Sequence, residues 1–398
     1  MALTSRDRRY YFIALPAGHG AVDWIGAGMF LLAPAIAFGG VELSPVRIGL
    51  LFGTRALFSS IFYIPAGIVG DSVRRQGLVM LATIWWVGLA GIGAAFAPNY
   101  WVLVVAFIVS SAGSSFWHPL AMGAMVQRMP GRRAMAVAVH GVGGSASEVL
   151  APLLVGILLA VIGWRQVLFI NALFPLVAAI LLLRVAAVVG PETKHRASRS
   201  DFKALARIGR RPVALGLLLA MGLYNMSNIA LMTMAPIYLK DVRGFSPQAA
   251  GATLAALLVA GTVGSPLVGA LSDRLGRKSV TVVGMIAGGA ALWAMTLMPE
   301  TISLVAAMIV AGFCLISIRA VLTAAALDIV GQREATVIGF LFAIGEGIGA
   351  LGSLIAGIIG NASLEWALIF AAILAFSVGG LVGALPLRAS GQPVRAPA

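Results

Sequence analysis

Long apolar stretches constrain the fold of this chain more than any other feature. About twelve of them, each of about 18 residues or more, follow one another along the 398-residue sequence. An apolar helix of that length crosses the hydrocarbon core of a bilayer. The residues are 60% hydrophobic and only 11% charged, whereas a soluble domain is about half apolar and a quarter charged. The sequence therefore predicts an all-α protein that crosses the membrane about twelve times.

The predicted spans fall into two groups of six. Their approximate limits are 11–38, 46–70, 77–97, 100–127, 134–162, 165–188, 213–239, 247–271, 279–298, 301–328, 335–360 and 364–387. A longer break at 190–211 separates an N-terminal six-helix bundle, 1–189, from a C-terminal one, 212–398. Phe202, Leu205 and Ile208 give this break an apolar face, which fits either a basic surface helix or a solvated linker.

Positive charges are sorted by connection. All but six of the 28 Lys and Arg residues lie at the termini or in the connections on the same side as the termini. The exceptions are Arg47, Arg165, Lys240, Arg243, Arg55 and Arg319, the last two within spans. This asymmetry predicts an inner-membrane protein with both termini in the cytoplasm. The net charge of +14 then serves topology and contact with anionic lipid, and we expect no nucleic-acid partner.

Cysteine and histidine usage gives no sign of a cofactor. The chain has one cysteine, Cys314, so no disulfide forms within it. No Cys or His pair has the spacing of a metal site. No Ser-His-Asp spacing or phosphate-binding glycine loop lies outside the spans. We therefore expect no catalytic residues, no bound metal and no cofactor, and the sequence argues against an enzyme.

The two halves repeat each other at a shift of about 202 residues. Ala33-Pro34 recurs as Ala235-Pro236. At about the same shift Asp23 falls opposite Asn225, and His118 falls opposite Arg319. Transporters built from such parallel repeats place their substrate sites near the membrane midplane, between the halves.

A loop motif occurs in both halves. The second copy reads GALSDRLGRKS from Gly269, and the first reads GIVGDSVRRQG from Gly67. The first copy has Ser72 where the second has Arg274, and Arg74 where the second has Gly276. With the repeat, this motif resembles the major facilitator superfamily. The stretches GHGAVD, SSFWHP and GVGGSASEVLAP are similar to the fosmidomycin-resistance branch of its drug/proton antiporters. The resemblance implies two pseudo-symmetric six-helix bundles and a gating role for the motif residues Gly67, Asp71, Arg75, Gly269, Asp273, Arg274, Gly276 and Arg277.

The chemistry of the motif gives two interpretations. Asp273 ends a span and can pair with a nearby base or with the positive end of a helix, which would hold one face of the protein shut. Alternatively, Arg274, Arg277 and Lys278 only anchor the loop in the cytoplasm. Because acidic residues contribute little to topology, we favour a gating role for Asp273.

Two ionisable residues stand out in the first span. His19 and Asp23 are one helical turn apart and share a face. An Asp at the centre of a span costs about 2.5–3.5 kcal/mol, so such residues normally face the protein interior and mark ion or substrate paths. We expect Asp23 to carry a coupled proton and His19 to tune or relay it. The alternative is a structural pair that joins helices.

Further ionisable residues lie in spans two, four and five. Arg55 must meet an anion, which is Asp23, Glu148 or the substrate. His118 either shuttles protons, contacts an anionic substrate or is a hydrogen-bonded interior histidine, and Trp117 beside it is expected to form an aromatic wall of the site. Glu148, near mid-depth, is the second candidate for the proton.

The second half contributes fewer polar residues. Asn225, Arg319 and Glu346 are expected in the substrate site, and Arg319 and Glu346 either pair with each other or contact the substrate. Together these features predict a monomeric, proton-coupled exporter of a small amphiphilic or anionic compound, working by antiport. The alternative is a proton symporter that imports an organic anion. A scaffold or sensor is disfavoured because no soluble domain is present.

Overall fold

Twelve long α-helices make up the body of the computed structural model, which describes residues 5–73, 75–128, 133–185, 189, 211–330 and 334–386. The first six are α1 (Ser5–Leu32), α2 (Pro45–Ser72), α3 (Gln76–Ala95), α4 (Tyr100–Arg128), α5 (Arg133–Leu159) and α6 (Trp164–Leu181). The second six are α7 (Pro212–Ile237), α8 (Pro247–Leu275), α9 (Arg277–Leu297), α10 (Thr301–Val330), α11 (Glu334–Gly360) and α12 (Leu364–Ala384).

Each predicted span corresponds to one of these helices, in the same order. Of the twelve described helices, eleven are long and apolar enough to cross a membrane, and α1 falls short. Its apolar surface is interrupted by His19 and Asp23. The predicted all-α fold with two pseudo-symmetric six-helix bundles is confirmed. The predicted linker at 190–211 lies outside the described residues except for Arg211.

The starts of α2 and α8 show how closely the halves repeat. Ser44 caps α2 by accepting a hydrogen bond from the Arg47 amide, and Pro45 follows it. Ser246 caps α8 in the same way, and Pro247 follows it. Serine satisfies a free amide at a helix start, and proline fits the first helical position. Related sequences in the two halves therefore fold into the same local structure.

A short hairpin marks one end of the bundle. Strands β1 (Ala37–Phe38) and β2 (Val41–Glu42) pair antiparallel between α1 and α2. Gly39 and Gly40 form the two-residue turn with φ of +61° and +82°, values that favour glycine. We call this end of the bundle the hairpin side. The opposite end, where α2 and α8 finish in the loop motif, is called the motif side.

On the hairpin side the two halves approach each other along two glycine seams. In the first, a Cβ on Gly49 of α2 would lie 2.5 Å from the Ser353 carbonyl oxygen of α11 and 2.9 Å from Gly357 Cα. In the second, a Cβ on Gly156 of α5 would lie 2.6 Å from the carbonyl oxygen of Pro247 in α8. Only glycine lets the backbones of two helices come this close.

The two seams are equivalent under the sequence repeat. Gly49 corresponds to Gly251 of α8, which contacts Gly156, and Gly156 corresponds to Gly357, which contacts Gly49. Each half therefore supplies one glycine from its second helix and one from its fifth. These paired contacts close the hairpin side between the halves.

An ion pair adds to this closure. Lys240, in the π-helical turn after α7, contacts Glu42 of the hairpin at 2.6 Å and donates to the Pro34 carbonyl oxygen at 2.9 Å. These contacts join the second half to the first. Lys240 is one of the four cations predicted on the side opposite the termini, and its position here has a structural reason.

The other three cations of that group also have local partners. Arg165 donates to the Ala95 carbonyl oxygen at 2.9 Å, at the end of α3. Arg243 donates to the first two carbonyls after α9, at 2.6 and 2.7 Å. Arg47 lies over the Tyr100 ring, with its guanidinium carbon 5.6 Å from the centroid. Arg165 and Arg243 therefore stabilise helix ends, and Arg47 makes an aromatic contact. These local contacts explain why the three cations lie on the side with few positive charges.

We expect Gly156→Val to open the hairpin side, because the added side chain would overlap the α8 backbone. Overpacking costs about 1–3 kcal/mol, which shifts a two-state equilibrium by at least about fivefold. Spin labels at Val46 and Asn361 in a Cys314→Ser background would report longer distances. The control is Gly93→Val, where a Cβ has nothing within 4 Å. An unchanged distance distribution in Gly156→Val would show that this seam does not hold the closed state.

Candidate functional site

A cavity of about 370 Å³ lies between the halves and is lined by residues of α1, α2, α4, α5, α7, α8, α10 and α11. It contains all but one of the side chains that the sequence predicts for proton coupling or substrate binding. These are His19, Asp23, Arg55, His118, Glu148, Asn225, Arg319 and Glu346. Ionisable residues from both halves are thus brought to one place, near the middle of their helices.

Trp117 is the exception, and the prediction that it forms a wall of the site is wrong. Its side chain is fully buried, and the ring packs against α1 at Gly18, where a Cβ would overlap the indole. The adjacent His118 faces the cavity instead. Successive residues of a helix point in directions about 100° apart, and here Trp117 points toward α1 while His118 points into the cavity.

Asp23 lies at the centre of a cluster of polar side chains from α1 and α4. Its Oδ2 is 3.1 Å from His19 Nε2 and 3.3 Å from His118 Nε2. Its Oδ1 accepts a hydrogen bond from Ser114 Oγ at 2.9 Å. We call His19, Asp23, Ser114 and His118 the carboxylate cluster. All four line the cavity, and each of the three ionisable members is partly buried.

The hydrogen bonds of the two histidines fix where their protons lie. His19 Nδ1 donates to the His140 carbonyl oxygen, and His118 Nδ1 donates to the Ser114 carbonyl oxygen, both at 2.8 Å. A carbonyl only accepts, so each Nδ1 carries a hydrogen. In a neutral imidazole the Nε2 is then an acceptor, as is an ionised carboxylate. A hydrogen bond between Asp23 and either Nε2 therefore needs a proton, carried by the imidazolium or by the carboxyl group.

His140 supports this arrangement from α5. Its ring stacks on His19 with centroids 4.3 Å apart and planes 13° apart. It is fully buried, and within the described part of the chain neither ring nitrogen has a hydrogen-bond partner. Gly144 leaves room for the His19 ring, since a Cβ there would lie 2.7 Å from it. The stacked ring of His140 therefore orients His19.

Ser114 and Tyr63 belong to the site, although the sequence interpretation did not identify them. Ser114 precedes His118 by one helical turn, so this spacing could have indicated a shared face. Tyr63 lines the cavity and meets His118 edge-on at 6.1 Å between centroids. It lies two helical turns after Arg55 on α2, which is also a readable spacing. Uncharged polar residues in spans carry a weaker signal than charged ones.

Arg319 pairs across the two halves. Its Nη1 is 3.5 Å from Glu148 Oε1, which joins α10 to α5. Pairing between Arg319 and Glu346 was one of the two sequence-based interpretations, and the observed partner is Glu148 instead. The reason is the docking of the halves, which sets α5 of the first opposite α10 of the second. Both side chains remain partly exposed, at 50% for Arg319 and 32% for Glu148.

Arg55 forms no ion pair with the residues that the structure describes. Its guanidinium lies against α1 at Gly26, one turn beyond Asp23, and over the Phe107 ring at 5.6 Å. Among the described residues it makes no ion pair with Asp23 or Glu148, the two protein partners that the sequence offered. A guanidinium facing a cavity inside the membrane without a carboxylate contact is available to an anionic ligand.

His19, Asp23 and His118 also offer one ligand atom each within 4.8 Å of one another, the spacing at which three donors can hold a metal ion. Structural zinc sites have four ligands, and catalytic ones add water to three. Proton-mediated hydrogen bonds account for both short contacts in the cluster.

The loop motif adopts a defined turn in the second half. Asp273 Oδ1 pairs with Arg277 Nη1 at 2.7 Å, and Arg277 also donates to Ser272 Oγ at 2.8 Å. Gly276 has φ of +93°, which favours glycine and lets α9 start directly after α8. Arg274 is exposed, and a Cβ on Gly269 would meet nothing within 4 Å.

The first-half copy of the motif is described only in part. Gly67 lies in the last turns of α2, where a Cβ would have open space, and Arg75 is exposed just before α3. The side chain of Asp71 lies outside the described residues. The motif residues of both copies are on the motif side, away from the carboxylate cluster.

A comparison with protein families identifies the chain. The family model for the Major Facilitator Superfamily matches residues 24–263 and again 217–398. The chain belongs to the major facilitator superfamily. Members of this superfamily are transporters and not enzymes, as the sequence predicted.

Two curated proteins of the superfamily show the range of its relatives. A probable sulfoacetate transporter of Cupriavidus necator is 27% identical over 75% of this chain and 75% of its own length. The fosmidomycin resistance protein of Escherichia coli is 27% identical over 74% of this chain and 69% of its own. The predicted resemblance to the fosmidomycin-resistance branch is confirmed at this low identity.

The superfamily fold is also seen in solved structures. A bacterial homologue of the human lysosomal transporter Spinster, in an inward-facing and occupied conformation, superposes with a TM-score of 0.80. The alignment covers 96% of this chain and 97% of that one at 17% identity. This similarity is one of fold.

We expect Gly144→Ala to displace the His19 ring from Asp23, because the new methyl group would overlap it. The strain should cost about 1–3 kcal/mol and lower the midpoint of thermal unfolding in detergent. Gly123→Ala is the control, since a Cβ at Gly123 meets nothing within 4 Å and the substitution is otherwise identical. Equal midpoints in the two variants would mean that the position of His19 is not confined by α5.

Proposed function

We propose that this transporter couples the movement of a small amphiphilic or anionic compound to protons by alternating access. Asp23, His19 and Glu148 are the proton-coupling residues, and Asp23 is the principal one. The observation that carries the proposal is the position of Asp23 between two imidazoles in the cavity shared by both halves. That arrangement needs a bound proton, and the cavity is where access alternates in this fold.

The cavity charge depends on these protons. Arg55 and Arg319 contribute two positive charges, and three carboxylates oppose them, those of Asp23, Glu148 and Glu346. With neutral histidines the carboxylates are in excess by one, whereas a proton on each of the two histidines of the carboxylate cluster reverses the balance. Protonation of the carboxylate cluster therefore changes the sign of the net charge that a substrate meets.

The substrate-binding roles follow from the same geometry. Arg55 is the anion-binding residue of the first half because no carboxylate neutralises it at short range among the described residues. Arg319, Glu346 and Asn225 contribute from the second half, and His118 contacts both the substrate and Asp23. The relatives named for sulfoacetate and fosmidomycin support a substrate with an acidic group.

Export by antiport is the direction we propose, because one relative is a drug-resistance protein. In antiport a polar group of the substrate and the proton compete for Asp23, and Arg55 lies against Gly26, one helical turn beyond Asp23 on α1. The protein would act as a monomer in the cytoplasmic membrane, with both termini in the cytoplasm and the hairpin side outside. The charge asymmetry of the connections supports this orientation.

Symport of an organic anion with protons is the second candidate, and the Glu148–Arg319 pair favours it. A proton on Glu148 would release Arg319 to bind an anion. The proton and the anion would then bind together, as symport requires. The relative named for sulfoacetate is consistent with this direction.

The moving units would be the bundles 1–189 and 212–398, joined by the segment 190–211. We assign gating to the loop motif, with Asp273 and Arg277 as its charged centre in the second half. Asp273 would exchange its partner when the motif side closes. The motif residues of the first half, Gly67, Asp71 and Arg75, would act in the same way.

We expect Asp23→Asn to retain substrate exchange in proteoliposomes but to lose its response to a pH gradient. An amide is nearly isosteric with the carboxylate but cannot take up the coupled proton. The measurement is flux of candidate anions with and without an imposed gradient. Asp241→Asn, on the hairpin side, is the matched control and should respond as the wild type does. A full response to the gradient in Asp23→Asn would contradict the assignment of the proton to Asp23.

A further inference from the structure

We propose that the substrate is a small dianion held by two arginines, Arg55 from the first half and Arg319 from the second. The inference rests on the proposed function, since it names the substrate class of the same cavity. It goes further in requiring two acidic groups on one molecule. Carboxylate, sulfonate and phosphonate groups all suit the planar fork of a guanidinium.

The first argument is the state of Arg55. Its guanidinium lines the cavity, rests on the α1 backbone at Gly26, and has no carboxylate within 4.0 Å among the described residues. An arginine inside the membrane normally pairs with an anion. The contacts with Gly26 and Phe107 hold the side chain in place and leave its donors facing the cavity.

The second argument is the pair formed by Arg319. The separation of 3.5 Å from Glu148 exceeds the roughly 2.7–2.9 Å of a close charge-assisted hydrogen bond. Both partners are partly exposed to the cavity. A loose and accessible carboxylate can be displaced by another one. Glu148 therefore occupies the place that an acidic group of the substrate takes.

The third argument is the placement of the two guanidiniums on opposite halves. A monoanion gains from only one of them, whereas a dianion bridges α2 and α10. A ligand that contacts both halves binds with different strength as the halves move, and this difference is what alternating access requires. The cavity of about 370 Å³ is at the small end of the range for ligand pockets, so the substrate is small.

Glu346 is the third charged residue that a bridging substrate meets. It lines the cavity from α11 and is attracted by both Arg55 and Arg319. No ion pair within 4.0 Å joins it to either arginine among the described residues. It therefore offsets part of the positive charge of the two arginines without blocking the donors that the substrate needs.

The test compares dianions with monoanions of matched shape on purified wild-type protein by titration calorimetry. The dianions are sulfoacetate and sulfopropionate, and the monoanions are ethanesulfonate and propanesulfonate. A second charge-assisted contact should make at least one dianion bind about tenfold tighter than its partner. Equal affinities in both pairs, or binding by neither dianion, would overturn the proposal.

Variants then locate the second acidic group. Arg319→Gln should reduce the dianion affinity to that of the monoanion and leave the monoanion unchanged. Glu148→Gln should raise the dianion affinity by removing the competing carboxylate. Arg47→Gln, outside the cavity, is the control and should match the wild type. If Arg319→Gln weakens both classes of ligand equally, Arg319 does not bind a second acidic group and the proposal is wrong.

Failure of this inference is distinguishable from failure of the proposed function. Monoanions that are transported in response to a pH gradient, with no preference for dianions, would overturn the dianion assignment and leave proton coupling intact. A preference for dianions without any response to a pH gradient would support the dianion assignment and overturn proton coupling.

Discussion

The functional account depends on the contacts of one carboxylate inside the membrane. Asp23 faces two imidazole nitrogens whose rings are held by backbone carbonyls, and its other oxygen accepts from Ser114. Nδ1 of each ring donates to a backbone carbonyl, so a hydrogen bond from either Nε2 to Asp23 needs an additional proton, which is the proton that we propose is coupled to transport. These contacts explain how an apolar helix tolerates two ionisable residues one turn apart: both belong to a single cluster of polar side chains built from α1 and α4.

That unit works only if the halves around it can move, and the packing of the bundle provides for this. On the hairpin side, two glycine seams related by the sequence repeat bring the helices of opposite halves into backbone contact. Lys240 adds polar contacts from the second half to the first. Side chains pack beside these glycines as well, with Leu354 against Gly53 and Leu31 against Gly251, so the interface on this side is closely packed. The cavity with its charges lies beyond these seams, toward the middle of the helices.

Much of this was predictable because charge in a span is so costly. The apolar stretches predicted the twelve helices, and their ionisable residues predicted the members of the cavity. The sequence could not predict which side chains contact each other, because those contacts depend on how the helices cross. Arg319 meets Glu148 only because α5 and α10 face each other across the halves. Trp117 packs against Gly18 for a similar reason. Ser114 was missed since an uncharged side chain in a span carries little penalty and so little signal.

Proton exchange on binding tests the central claim most directly. Purified protein in weakly buffered detergent is mixed with a transported anion, and the pH change gives the number of protons exchanged. With the proton on the carboxylate cluster, Asp23→Asn should abolish this exchange and Glu148→Gln should retain it. Retention of the exchange in Asp23→Asn together with its loss in Glu148→Gln would contradict the account and assign the coupled proton to α5.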